Sequence, residues 1–169
     1  MGSVYVGTQK AKKIYVGTQP VKKIYVGKTL CWSANETGSW NIGSYYTKWG
    51  GGHFQLDIYI TGLEKDYVNN RLRLKVEMGI RSLGNWTISS STNRTGTITI
   101  DGQRYSFNYT AGLSANQYKI IFNRSDIWIN AASGKTINVN ASVPINITLS
   151  GVGTVNTVNA SHSVKLPVL

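Results

Sequence analysis

Apolar and polar residues alternate with period two along most of this chain. Between 54 and 61, Phe54, Leu56, Ile58 and Ile60 alternate with Gln55, Asp57, Tyr59 and Thr61. Between 71 and 80, Leu72, Leu74, Val76, Met78 and Ile80 alternate with Arg71, Arg73, Lys75, Glu77 and Gly79. Alternation of this kind places one face of a strand on a core and the other in water, as in antiparallel sheets. Further β-like runs follow, "NWTIS", "TGTITI", "RYSFNYT", "QYKIIFN", "DIWIN", "TINVNASV", "PINITLS" and "VGTVNTV". Turn signals separate them: the polar link "GLEKDYVNN", Asp101-Gly102 as a tight hairpin turn, and "AASGKT". No stretch carries a 3.6-residue apolar pattern with caps. The reading is all-β, with residues 54–169 forming an antiparallel β-sandwich (Ig-like or jelly-roll-like) of about eight strands.

The first 29 residues follow a different rule. Val4-Tyr5-Val6-Gly7 returns as Ile14-Tyr15-Val16-Gly17 and again as Ile24-Tyr25-Val26-Gly27, at a ten-residue interval. Each copy has strand alternation, and "TQK" and "TQP" are expected to supply turns between three short strands. So few apolar residues per copy bury too little surface to offset the ordering entropy of the segment. Residues 1–29 therefore read as an arm that docks on the rest of the chain, on a sister subunit or on a partner. Residues 30–53 change character again: Trp32, Trp40, Trp49, Tyr45 and Tyr46 stand among glycines and small polar residues. They read as an aromatic, glycine-rich connector.

Charge sharpens this division. The chain of 169 residues carries +11, and Lys10, Lys12, Lys13, Lys22, Lys23 and Lys28 all precede its first acid, Glu36. Lysine interleaved with Tyr5, Tyr15 and Tyr25 resembles a phosphate-and-stacking pattern. Strand packing explains "IYVG" better, with the lysines guarding exposed edges. Nucleic acid is not the expected partner.

The chemistry of catalysis is sparse. One cysteine, Cys31, forms no disulfide framework, and His53 and His162 stand apart from it and from each other. His162 reads as the exposed position of a terminal strand and His53 as a loop residue. Asp57 and Glu77 occupy polar positions on strands able to pair, and a solvent-face role beside Arg73 or Lys75 suits them better than a glycosidase dyad. Gly50-Gly51-Gly52 lacks the lysine–serine pattern of a phosphate loop. No enzyme activity, cofactor or metal is expected. No apolar run reaches the ~20 residues of a membrane span, and no signal-peptide core opens the chain, so synthesis in a cytosol and no membrane insertion are expected. Eight Asn-x-Ser/Thr sequons are attributed to a composition rich in those residues. One binding signal stays open: Trp40, Tyr45, Tyr46 and Trp49 are candidate platforms for sugar rings, against the alternative that they cap the sandwich or enter an interface.

The tandem "VKKIYVG" copies resemble the decapeptide-type repeats of structural proteins from tailed phages that infect Gram-positive bacteria. The stretch "NWTISSSTNRTGTITIDGQRYSFNYTAGLSANQYKIIF" is similar to a pattern in their minor structural (tail) proteins, and "ASGKTINVNASVPINITLSGVGTVNTVNAS" to that family's ending. Ala132-Ser133-Gly134-Lys135 stands where the family has an acidic turn. The resemblance covers residues 4–27 and about 54–164. It implies a non-enzymatic virion protein, made in the host bacterial cytoplasm, homo-oligomeric and in contact with other virion proteins. A tail-tip, baseplate or fibre component is the first expectation. A module that binds host cell-surface polysaccharide, or a capsid decoration or head fibre protein, is the alternative. The attachment residues would be Tyr5, Lys12, Lys13, Ile14, Tyr15, Val16, Lys22, Lys23, Ile24, Tyr25 and Val26.

Overall fold

The computed structural model describes residues 35–67, 69–131 and 134–169, together with 5–6, 9–10, 14–16, 19–21, 23–26 and 29–33. Three small hairpins come first: β1 (Tyr5–Val6) with β2 (Gln9–Lys10), β3 (Ile14–Val16) with β4 (Gln19–Val21), and β5 (Lys23–Val26) with β6 (Thr29–Ser33). Eight strands then build the body: β7 (Glu36–Trp49), β8 (Phe54–Asp66), β9 (Arg71–Ser82), β10 (Asn93–Ile100), β11 (Gln103–Thr110), β12 (Tyr118–Asn130), β13 (Thr136–Leu149) and β14 (Gly153–Lys165). They form two four-stranded antiparallel sheets packed as a sandwich, one in the order β12-β9-β8-β7 and the other β11-β10-β13-β14.

Two pairs of consecutive strands lock the sheets together. The chain crosses from β9 to β10 and later from β12 to β13, with β12 beside β9 and β13 beside β10. These adjacencies are those of the immunoglobulin-type Greek key, in which strands B and E share one sheet and C and F the other. A jelly roll would nest the strands instead. Along the two seams β7 meets β14 and β11 meets β12.

The alternation seen in the sequence sets the faces. Phe54, Leu56, Ile58, Ile60, Leu72, Leu74, Val76, Met78 and Ile80 all point into the core, opposite Ile98, Ile100, Ile137, Val139 and Val143. Asp101 and Gly102 both have positive φ, 49° and 82°, and join β10 to β11 by the expected two-residue turn. The polar link after β8 is shorter than its composition suggested, because β8 stays paired through Asp66 and β9 starts at Arg71.

Elsewhere the strands are longer than the sequence runs. "QYKIIFN" and "DIWIN" are one strand, β12, interrupted by a bulge between Arg124 and Ile127. "TINVNASV" and "PINITLS" are likewise one strand, β13, with a bulge between Pro144 and Ile147. Pro144 is tolerated because the β10 ladder ends at Ser142, so the missing N–H faces no strand partner there. "NWTIS" makes only an isolated bridge, Ile88 to Leu113. The Ser82 hydroxyl donates to the carbonyls of Gly84 and Trp86, which curls this segment across the end of the sandwich.

Two expectations about the first 53 residues change. Glu36–Trp49, within the presumed connector, is a fourteen-residue strand paired along β8. In the arm, the registers Val6–Gln9, Val16–Gln19 and Val26–Thr29 put strands where "TQK" and "TQP" suggested turns. Each repeat is thus a hairpin whose two strands flank positions 7–8, 17–18 and 27–28. The third hairpin ends at Ser33, past residue 29.

Candidate functional site

The four candidate sugar platforms do not share a surface. Trp49 is buried and stacks on Phe54 at 4.7 Å. Trp40 packs against the core edge, where its ring occupies the space a side chain at Gly62 would need, with Lys65 5.1 Å from the ring centroid. Tyr45 also faces inward and stacks on His162 at 4.9 Å. Only Tyr46 is open to solvent, 61% exposed on the opposite face. Neighbours in sequence on a strand point to opposite sides, so Tyr45 and Tyr46 cannot form one platform. His162 is correspondingly an inward residue between outward Ser161 and Ser163, and its Nε2 is buried without a hydrogen-bond partner among the described residues. His53 closes the glycine turn and stacks on Trp86 at 3.8 Å.

Of the arm residues, Val16 is 74% and Tyr25 52% exposed, while Ile14 and Ile24 are half-buried. For Tyr5, Tyr15, Lys23 and Val26 the description covers the backbone pairing alone. Lys12, Lys13 and Lys22 lie outside the described residues.

The outer face of the β12-β9-β8-β7 sheet carries a lattice of paired charges and rings. Arg81 Nε donates to Asp57 Oδ2 at 2.8 Å, and Arg71 Nε to Asp66 Oδ2 at 2.8 Å. Arg73 pairs with Glu64 and Lys75 with Glu77, each at 3.2 Å. Arg81 also lies over the Tyr118 ring at 4.7 Å, and Arg71 over Trp128 at 4.2 Å. Tyr118 in turn covers Gly79, where a β-carbon would collide with its ring. These contacts leave their mark on ionisation. Burial pushes the Asp66 carboxyl up, but hydrogen bonds from Asn69 and Arg71 outweigh it and hold the group below its ordinary value. Hydrogen bonding to Asp57 raises Arg81. Burial, reinforced by Glu77, raises Tyr118, and burial with the Glu36 hydrogen bond lifts Tyr67 to about 12.

The remaining carboxylates follow the same pattern. Glu36 pairs with Lys65, Asp101 with Lys135 and Asp126 with Arg124. All seven acids of the chain therefore sit in ion pairs, Asp57 with Arg81 and Glu77 with Lys75 among them. No carboxylate among them is placed as a free base, and a dyad of Asp57 and Glu77 would have to break two pairs first. Among the described residues no group of three or more His, Cys, Asp or Glu can hold a metal ion, and no helix is long and apolar enough to cross a membrane.

The opposite sheet carries hydroxyls and amides on its outer face. Thr95 donates to Asn108, Ser161 to Asn140 and Ser163 to Asn138, at 2.6 to 3.0 Å across neighbouring strands. At the end where β9 leads into β10 lie two adjoining grooves that sequence reading missed. One, of about 470 Å³, is lined by Thr87, Ser90, Thr92, Arg94, Asn146 and Thr148 among others. The second, of about 360 Å³, is lined by Asn93, Arg94, Thr95, Asn108, Tyr109 and Thr110. Burial raises Tyr109 to about 12 against the opposing pull of nearby Arg94. Arg94 carried no sequence signal, because what sets it apart, half-burial and bonds to Ser90 and Thr92 with no carboxylate beside it, arises only in the fold. Comparison of the chain with family models, with curated proteins and with solved structures gives no match.

Proposed function

We propose that this chain is a non-enzymatic virion component, of the tail-tip, baseplate or fibre kind that its repeats resemble, and that its N-terminal hairpins attach it to other virion proteins or to sister copies. One observation carries the reading: each repeat forms its own hairpin closed by the equivalent innermost pair, and the described apolar side chains Val16 and Tyr25 are left largely exposed. An isolated two-stranded hairpin is marginal in water. Three in tandem gain their order from a surface that covers them, and tandem identical units raise avidity without a new kind of contact. The sandwich is suited to a passive role, with a continuous core and its carboxylates matched by cations. Those pairs also remove the basic stripe that nucleic-acid binding would need from the sheet face richest in arginine.

The test is incorporation into particles. Removing residues 1–34, which takes all three hairpins, should leave a cooperatively melting sandwich that no longer enters particles. A truncated chain that assembles at normal copy number would overturn the assignment of the arm as the anchor.

A further inference from the structure

We infer that the end of the sandwich remote from the arm binds a glycan bearing carboxylate or phosphate, and that Arg94 is the residue that grips its charge. The inference stands whether or not the arm attaches the chain.

The charge inventory points there first. Once the seven ion pairs are made, the sandwich retains Lys48, Arg94, Arg104, Lys119 and Lys165 without a carboxylate partner among the described residues. Lys48, Arg104 and Lys165 are exposed, as ordinary solvated charges are. Arg94 and Lys119 are half-buried and held by hydrogen bonds. Arg94 donates from Nη1 to Ser90 Oγ and to the Thr92 carbonyl, both at 3.0 Å. Lys119 Nζ donates to Thr110 Oγ1 at 2.6 Å and to the Gly112 carbonyl at 3.2 Å. Thr110 also lines the second groove, so Lys119 stands behind its wall, one hydrogen bond away, while Arg94 lines it directly.

The lining supplies the rest of the match. Both bonds of Arg94 use one nitrogen, leaving Nε and Nη2 for an incoming carboxylate or phosphate, and a guanidinium already fixed in place loses little entropy on pairing. Around it stand neutral hydroxyl and amide groups, Thr87, Ser90, Thr92, Thr148 and Asn146, which suit sugar hydroxyls. Asn146 has a φ of 47° at the β13 bulge, a backbone state that re-aims a side chain and recurs beside sites. Arg94 lines both grooves, so a ligand of several residues can lie across it toward Lys119. Nucleic acid fits less well: Tyr109, the one aromatic lining either groove, is buried, and two cations meet few phosphates.

Position agrees with this use. The chain enters the sandwich at Glu36, and β7 runs its full length before the glycine turn, ~40 Å along an extended strand. The grooves lie at the glycine-turn end, since Leu83 bonds to His53 and Asn93 pairs with Thr110 at that pole. A ligand there leaves the arm end free.

Residue-resolved amide NMR and calorimetry on the full chain at physiological salt test the inference. The probes are a hyaluronan oligosaccharide (carboxylate), a short poly(glycerol phosphate), a neutral cello-oligosaccharide and inorganic phosphate. At least one anionic polymer should shift amides at 88–94, 108–110 and 146–148, and the tighter of the two names the source of the charge. The neutral sugar and free phosphate should bind about tenfold more weakly or worse, as loss of a charge-assisted contact predicts. Arg94→Gln should cost about tenfold or more in affinity, while Arg104→Gln changes nothing. Arg94→Lys should melt like wild type and still bind more weakly, because it keeps the charge and loses the planar fork. Any of three results overturns the inference: shifts confined to the arm lysines, no shift at those amides with either anionic polymer, or equal affinity in Arg94→Gln. If both Arg94 variants lose melting temperature and affinity together, Arg94 only anchors its loop.

Discussion

The two outer faces of the sandwich place polar side chains at the same alternate positions and keep them in order by different means. On the β12-β9-β8-β7 face, carboxylates and guanidiniums pair, and aromatic rings lie across them. On the β11-β10-β13-β14 face, hydroxyls and amides bond across strands, and Arg104 and Lys165 are its outward charges. The first face is largely closed along β8, β9 and β12, where every carboxylate is paired and Tyr118 and Trp128 lie under guanidiniums. Among the described residues only its β7 edge presents an open ring, Tyr46, and an unpaired Lys48. The second is weakly held, because exposed neutral hydrogen bonds exchange readily with water. Stability is thus concentrated on one face, and the grooves around Arg94 border the other.

Breaking a charge pair on the first face gives the largest expected effect. Asp57 is 2% exposed, accepts from Arg81 and is also bonded by Gln55. Asp57→Ala would leave both donors without their acceptor, Arg81 against the Tyr118 ring, and should destabilise the chain by ~2–4 kcal/mol, a range set below the fully buried case because Arg81 retains water contact. Urea denaturation of the full chain reads this directly. A loss under ~1 kcal/mol would place the pair with ordinary surface salt bridges and remove the contrast between the faces.

Much of this was legible in the sequence, and the losses have physical causes. The clean alternation in β8 and β9 assigns Asp57 to the polar face correctly, but alternation does not say that Arg81 rather than a neighbour will meet it. That choice depends on strand register, which lies outside either strand's own pattern. β7 was hidden because two bulges, between Thr37 and Trp40 and between Asn41 and Gly43, shift its parity. Trp40, Ile42, Tyr45 and Trp49 then all turn inward at uneven spacing, and an inward strand reads like an aromatic loop. In the arm, the pairs Val6–Gln9 and Val16–Gln19 make strand residues of Gln9 and Gln19, which stood inside the presumed turns, because pairing across a hairpin is not written in either strand's own pattern. The Arg94 grooves were invisible for a simpler reason, since a site defined by a missing carboxylate leaves no motif.

Acid should act on the same contrast, with a smaller effect. The folded Asp66 carboxyl is held below its ordinary value, so its contribution is fully present above the unfolded value of ~4 and is lost as pH falls through the folded value. Its bonds to the Asn69 backbone and side chain and to Arg71 close the β8–β9 turn. Amide exchange below pH ~4 should therefore quicken first around residues 66–71. The β10–β13–β14 ladder, whose outward positions hold no carboxylate, should respond later. Asp66→Asn should flatten the pH dependence of stability in that window. Loss of both sheets in parallel at the same pH would show that the two faces are not distinct in this respect.

The smallest effect is expected on the hydroxyl face. Ser161 donates to Asn140 at 2.6 Å, both residues being exposed. Removing the hydroxyl costs one neutral hydrogen bond whose acceptor, the exposed Asn140 side-chain carbonyl, water then satisfies, so Ser161→Ala should change stability by no more than ~0.5 kcal/mol. A double-mutant cycle with Asn140→Ala isolates the pair, and coupling within ~0.5 kcal/mol is expected. Coupling above ~1.5 kcal/mol would mean that the ladder acts as a cooperative network. The second face would then be as firmly held as the first, and the grooves would sit beside a rigid wall instead of a yielding one.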